Sequence, residues 1–295
     1  MTGARGSGTD RFPQEVPAQE QSWPGATDEM RPVPDHGDES YVGRDRLTGK
    51  RALITGGDSG IGRATAIAFA KEGAAAVALS YLPQEQDDAE AAKAAVEAAG
   101  ARCFLLPGDL RTESANEKIA QDAVAALGGI DVLVANAGFQ MAHTGGITDF
   151  PSGQLEQVFE TNVFATFWLV KYLTPHLGAG SSIIFTTSIQ AFDPSEPLLD
   201  YAATKAALNN LMVNLASDLG EHGIRVNAVA PGPIWTPLIV STFDEDKIEG
   251  FGSDTPLGRP GQPVEVAPAY VFLASDEASY VSGTVLGVTG GKPVF

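Results

Sequence analysis

The sequence holds a single cysteine, Cys103, in 295 residues. That excludes an intrachain disulfide framework and any thiolate metal cluster, and it fits a reducing compartment in which a lone thiol serves as a small buried hydrophobe. Basic residues are scarce as well: 19 Lys and Arg stand against 37 Asp and Glu, for a formal net charge of -18. A field of that sign repels nucleic-acid phosphates and anionic membrane surfaces, so neither is an expected partner. The four histidines do not cluster at metal-ligand spacing, and no catalytic metal is expected. No stretch reaches the ~18 consecutive apolar residues needed to span a bilayer. The first thirty residues lack the charged start and apolar run of a secretory signal. These absences point to a soluble cytoplasmic protein.

Residues 1–46 are rich in Pro, Gly, Gln and acidic side chains, with Phe12, Trp23 and Tyr41 scattered among them. Such a segment cannot bury enough apolar surface to fold alone. Two readings stay open: a disordered tail, or an extended arm whose isolated aromatics and prolines pack along a neighbouring subunit. The character changes at residue 47, and residues 47–295 read as one domain of alternating strands and helices. Short apolar runs predict strands at 51–55, 76–81, 102–106, 131–135, 182–187, 225–230 and 284–288. Helical patterns at 60–71, 85–99, 113–127, 154–176, 200–222 and 264–273 lie between them. Strands too apolar to have a wetted face indicate a parallel sheet covered on both sides by helices. Right-handed crossovers then give an α/β, doubly wound Rossmann fold with a seven-stranded parallel sheet, which binds ligands beyond the carboxyl ends of its strands.

Thr55-Gly56-Gly57-Asp58-Ser59-Gly60-Ile61-Gly62 lies between the first predicted strand and the first helix. Glycine there permits positive φ and close backbone approach to a pyrophosphate, while the helix N-terminus offers oriented N–H donors. Tyr201 and Lys205, four residues apart at the start of a predicted helix, emerge from one face. An ammonium beside a phenol favours phenolate, which makes Tyr201 a usable acid or base. The strand ending at Thr187 delivers Ser188, thirteen residues before Tyr201, where a hydroxyl can bond a carbonyl oxygen.

These motifs, in this order and spacing, resemble the short-chain dehydrogenase/reductase family from about Leu47 to the C-terminus. The glycine turn matches the family's T-G-x-x-x-G-x-G. Asp109, before Leu110, matches the acid that hydrogen-bonds adenine. Asn136-Ala137-Gly138 matches the end of N-N-A-G, with Ala135 in place of the first Asn. Pro231-Gly232-Pro233-Ile234-Trp235-Thr236 matches P-G-x-x-x-T, where Thr236 holds the nicotinamide amide. The resemblance implies a catalytic tetrad of Asn162, Ser188, Tyr201 and Lys205. Tyr201 exchanges a proton with the substrate oxygen, and Ser188 polarises the carbonyl. Lys205 holds the nicotinamide ribose and depresses the Tyr201 pKa, and Asn162 helps hold a relay water. It also implies a homotetramer, to which the N-terminal arm adds contacts. Gly56-Gly57-Asp58-Ser59-Gly60-Ile61-Gly62-Arg63 and Gly258-Arg259-Pro260-Gly261-Gln262-Pro263 suggest a bacterial subgroup with an N-terminal extension, described as stress-related oxidoreductases or aldehyde reductases.

The choice between NAD and NADP is read where the second strand ends, at Ser80-Tyr81-Leu82. No acid stands there to repel a 2′-phosphate, which favours NADP; Glu85 and Asp58 nearby argue the other way. Gln190 and Phe192, residues 139–143 and a lid-like segment at about 234–258 are expected to wall the substrate. Few cations flank them, so a neutral aldehyde, ketone or alcohol is favoured. A catalytically silent nucleotide-binding regulator is the alternative function. A sugar-nucleotide epimerase is disfavoured because little chain follows the seventh strand.

Overall fold

In the computed structural model, which describes Phe12 and residues 15–295, the strand runs form short elements, the inner ones covered on both faces and the two edge ones only in part. They are β1 (Arg51–Thr55), β2 (Ala76–Tyr81), β3 (Arg102–Pro107), β4 (Val132–Ala135), β5 (Ser182–Thr186), β6 (Arg225–Pro231) and β7 (Val285–Val288). All pair in parallel in the order β3-β2-β1-β4-β5-β6-β7. The order reverses between β1 and β4, the topological switch point at which doubly wound sheets bind ligands.

The helices are α1 (Gly60–Lys71), α2 (Gln86–Ala98), α3 (Glu113–Leu127), α4 (Ser152–Phe159), α5 (Ala165–Leu173), α6 (Leu199–Asp218), α7 (Pro237–Val240), α8 (Glu245–Ile248) and α9 (Pro263–Ala274). Alternate strand residues face opposite layers. Ala52, Ile54, Val77 and Leu79 pack on α1, α2 and α9. Leu53, Ala76, Ala78 and Leu133 pack on α3, α5 and α6. The helix expected at 154–176 is interrupted: a π-helical turn, Glu160–Phe164, separates α4 from α5. Asn162 sits in this turn with its side-chain amide bonded outside the helix, and such local widening is common at functional sites.

Residues 15–46 pack onto the rest of the chain. Glu72, fully buried at the end of α1, accepts hydrogen bonds from the Tyr41 hydroxyl, the Arg44 and Arg46 backbone N–H groups and the Arg46 guanidinium. Burial acts to raise its pKa, but these donors hold it at about 2. The Lys71 ammonium donates to the Gly37, Asp38 and Tyr41 carbonyls. Val16 and Met30 are buried with Trp235, Val240 and Ile248.

Candidate active site

A cleft of about 470 Å³ opens beyond the carboxyl ends of the strands. The turn from β1 to α1 forms its floor. Gly56 and Gly60 there have φ of +59° and +49°. A Cβ on Gly60 would lie 3.1 Å from the Thr236 side chain, so the turn and Thr236 face each other closely. Gly62 does not line the cleft: a Cβ there would lie 1.8 Å from the Gly56 carbonyl oxygen, so it is the packing of α1 on the turn that demands glycine. Asn136 fastens the turn from below, its Nδ2 donating to the Thr55 and Gly56 carbonyls and its Oδ1 accepting from Thr186. Asp58, Ser59, Ile61, Leu110, Ala137, Gly138, Pro231, Gly232 and Ile234 complete this half of the lining.

Ser188 follows β5, while Tyr201 and Lys205 stand one turn apart on α6, and all three face the cleft. The Ser188 hydroxyl, which accepts from the Gln190 N–H, lies near enough to the Tyr201 phenol to act on its titration. The Lys205 ammonium lies 5.3 Å from the Tyr201 ring centre and donates to the Thr186 carbonyl at 2.8 Å. Burial raises the Tyr201 pKa to about 12, with the nearby Ser188 hydroxyl acting against it. Burial lowers the Lys205 pKa to about 7. Desolvation penalises both charged forms, so burial acts against the depression of the Tyr201 pKa that the resemblance implies for Lys205.

Asn162 is buried behind the cleft and does not line it. Its Oδ1 accepts from the Phe139 N–H, and its Nδ2 donates to the Phe139 carbonyl and Thr204 Oγ1. It thereby ties the loop after β4 to α6, beside Tyr201 and Lys205. Asp109 lines the cleft, but Arg111 engages its carboxylate, with Nη2 2.6 Å from Oδ2. At the end of β2, the buried Ser80 Oγ has no hydrogen-bond partner, whereas the Tyr81 hydroxyl donates to Gln86 and the Leu82 N–H to Glu85. Asp58 and Glu85 both line this end. Burial raises both pKa values, and neighbouring carboxylates, Asp88 for Asp58 and Asp58 for Glu85, push the same way.

The opposite half is mostly apolar, with Phe139, Leu198, Leu238, Ile239 and Phe243 around Gln190. Gln190 is held by Ser195, whose N–H and hydroxyl both donate to its Oε1. Phe192, Ala142 and His143 do not face the cleft, and Met141 reaches only an adjoining hollow at its mouth. Trp235 turns inward, fully buried, with its indole N–H donating to the Pro32 carbonyl. Trp23 and Pro24 line the cleft, and sequence reasoning missed them. Their one signal was a bulky aromatic isolated in a segment with no core of its own.

A parallel sheet with a glycine turn at its switch point, facing a paired tyrosine and lysine, defines a Rossmann-type oxidoreductase. The unpartnered Ser80 hydroxyl, the positive-φ turn and the buried Lys205 ammonium fit the ribose and phosphates of a nicotinamide dinucleotide. A family model described as enoyl-(acyl carrier protein) reductase matches residues 56–292. The chain belongs to the short-chain dehydrogenase/reductase family. It is 52% identical over 286 residues to "Uncharacterized oxidoreductase YhxD" of Bacillus subtilis, covering 96% of this chain and 95% of that one. It is 45% identical over 277 residues to "NADPH-dependent aldehyde reductase 1, chloroplastic" of Arabidopsis thaliana, covering 92% and 96% of the two chains. A solved short-chain dehydrogenase from Burkholderia cenocepacia, in complex with NADP, superposes with a TM-score of 0.75 at 33% identity, covering 84% of this chain and 99% of that one.

Proposed function

We propose that the protein interconverts an aldehyde or ketone and the corresponding alcohol, with Tyr201 as acid and base. The observation that carries this reading is the convergence of Ser188, Tyr201 and Lys205 on one cleft, across from the glycine turn. A nicotinamide dinucleotide, when bound, supplies the hydride acceptor or donor. Lys205 would hold its ribose, Thr236 its amide and the turn its pyrophosphate. The Ser188 hydroxyl orients the substrate oxygen by donating to it, and Tyr201 passes that oxygen a proton during reduction and takes one during oxidation. With its pKa raised, the phenol is protonated near neutral pH and stands ready as a donor. Asn162 acts by position, holding the loop after β4 against α6.

We assign NADP(H) as the favoured cofactor. Support comes from the missing acid at the end of β2, from the neutral forms that burial favours for Asp58 and Glu85, and from the NADPH dependence named for the Arabidopsis relative. A homotetramer is supported by the exposed Phe164, Phe167 and Val213 on the π turn, α5 and α6. The lone buried Cys103, its pKa raised by burial to about 12, suits the reducing cytoplasm.

Steady-state assays with aldehydes, ketones and alcohols test the proposal directly. Tyr201→Phe should lower kcat by ~10²-fold or more, the usual weight of general acid–base catalysis, while leaving cofactor binding intact. Dinucleotide binding without turnover across a broad panel would replace the enzyme with a silent regulator.

A further inference from the structure

The segment at 21–27 is built as a strap across the cleft. The Gln21 side chain closes a turn on Ala26, accepting from its N–H and donating to its carbonyl. On one side the Gln21 N–H donates to the Val240 carbonyl, and Ser241 Oγ donates to the Pro24 carbonyl, both at the end of α7. On the other side the Thr27 N–H and hydroxyl both donate to Asp88 Oδ2 on α2, at 3.0 Å each. Gly25 has a φ of +83°, and a Cβ there would lie 3.0 Å from the Pro237 carbonyl oxygen, so the strap lies flush on α7.

Trp23 sits between these anchors, half-buried, with its ring edge-to-face against Phe139 at 5.4 Å and 82°. Phe139 belongs to the apolar cluster that contains Tyr201 and Leu198, and Trp23 and Phe243 pack against that cluster. The indole therefore lines the same cleft as Tyr201, at the Phe139 side, and also borders the adjoining hollow beside Leu82 and Asp109. The matched family model begins at residue 56, so this wall comes from outside the part of the chain that the model matches.

We infer that Trp23, carried by the strap, is a specificity-determining residue that selects apolar, ring-bearing aldehydes or ketones at the Tyr201 site. The inference rests on the carbonyl chemistry proposed above. An aromatic face beside Phe139 and Phe243 gains offset-stacked and edge contacts from a planar ring that a two-carbon aldehyde cannot make.

The test uses the full chain and the variants Trp23→Ala and Trp23→Phe, with benzaldehyde and acetaldehyde as probes. In turnover, the ratio of kcat/KM for benzaldehyde over acetaldehyde should fall about tenfold in Trp23→Ala, through KM, and recover to within about threefold in Trp23→Phe. The Kd for the dinucleotide should stay within about twofold. In parallel, equilibrium binding of benzaldehyde to protein saturated with oxidised cofactor, which cannot reduce it, should weaken about tenfold in Trp23→Ala. That arm decides the question even if the wild type turns over neither aldehyde; the same silence across a broad carbonyl and alcohol panel would sink the proposed function alone. The inference is overturned if Trp23→Ala binds benzaldehyde as the wild type does, or if the wild type does not bind it. It is also overturned if both variants lose aldehyde and dinucleotide affinity together, the mark of general loosening.

Discussion

Lys205 is 2% exposed and its pKa falls from an ordinary 10.5 to about 7. At 1.36 kcal/mol per pKa unit, burial of the ammonium costs ~5 kcal/mol of folding free energy well below pH 7 and ~4 kcal/mol at pH 7, where the folded group is half protonated. Because the folded pKa is depressed, the folded chain binds fewer protons than the unfolded chain between pH 7 and 10.5, and stability rises with pH across that window. At pH 9 the residual cost is ~2 kcal/mol. Lys205→Met removes this cost but forfeits the bond to the Thr186 carbonyl, worth ~1 kcal/mol. The cofactor-free variant should therefore be more stable than the wild type by ~3 kcal/mol at pH 7 and ~1 kcal/mol at pH 9. For a chain of this size that is ~6 °C and ~2 °C in Tm, measurable by scanning calorimetry. The variant should also be inactive, since the strained group is the one proposed to serve the chemistry. A Tm gap that does not shrink with pH, or a variant less stable than the wild type at pH 7, would refute the reasoning.

Two further outcomes follow from the carboxylates. Glu85 has its pKa raised, so it ionises as pH rises through the neutral range, and the ratio of Kd for NADP to Kd for NAD should then climb about tenfold, one charge–charge interaction of ~1–2 kcal/mol near the protein surface. Fluorescence titrations with both cofactors between pH 6 and 9 would show the climb in the wild type and its absence in Glu85→Gln; a flat wild-type ratio removes Glu85 from cofactor selection. Glu72 has the opposite sign: its depressed pKa gives stability that is full above the ordinary carboxylate range and lost as pH falls toward about 2. Glu72→Ala should cost about 3 kcal/mol in urea unfolding at pH 7, because it strands the donors of Arg46 and Tyr41, and should flatten the acid limb of the stability curve.

The βα alternation and the parallel, doubly covered sheet were legible because each depends on local pattern. β1, β2, α1 and α3 fall where periodicity and capping residues put them, and the seven strands assemble in the expected doubly wound sheet. The helix expected at 154–176 was legible as helical but not as interrupted, since a π turn depends on what the Asn162 side chain finds outside its own helix. Phe192 and Trp235 show the same limit within the site. Both were expected at the substrate wall from sequence proximity, but one faces away from the cleft and the other is buried against Pro32.

What the sequence by itself determined is the family, the sheet and the set of reacting side chains, since motif spacing along successive βα units carries each residue to the same edge of the sheet. What only the tertiary structure decided is the environment of those side chains. Burial, which no local pattern encodes, pushes the Tyr201 pKa up and the Lys205 pKa down, against the charged form of each. The path of residues 15–46 was equally illegible: a segment without a core takes its place only from the surfaces it meets, and here those surfaces put Trp23 at the mouth of the cleft.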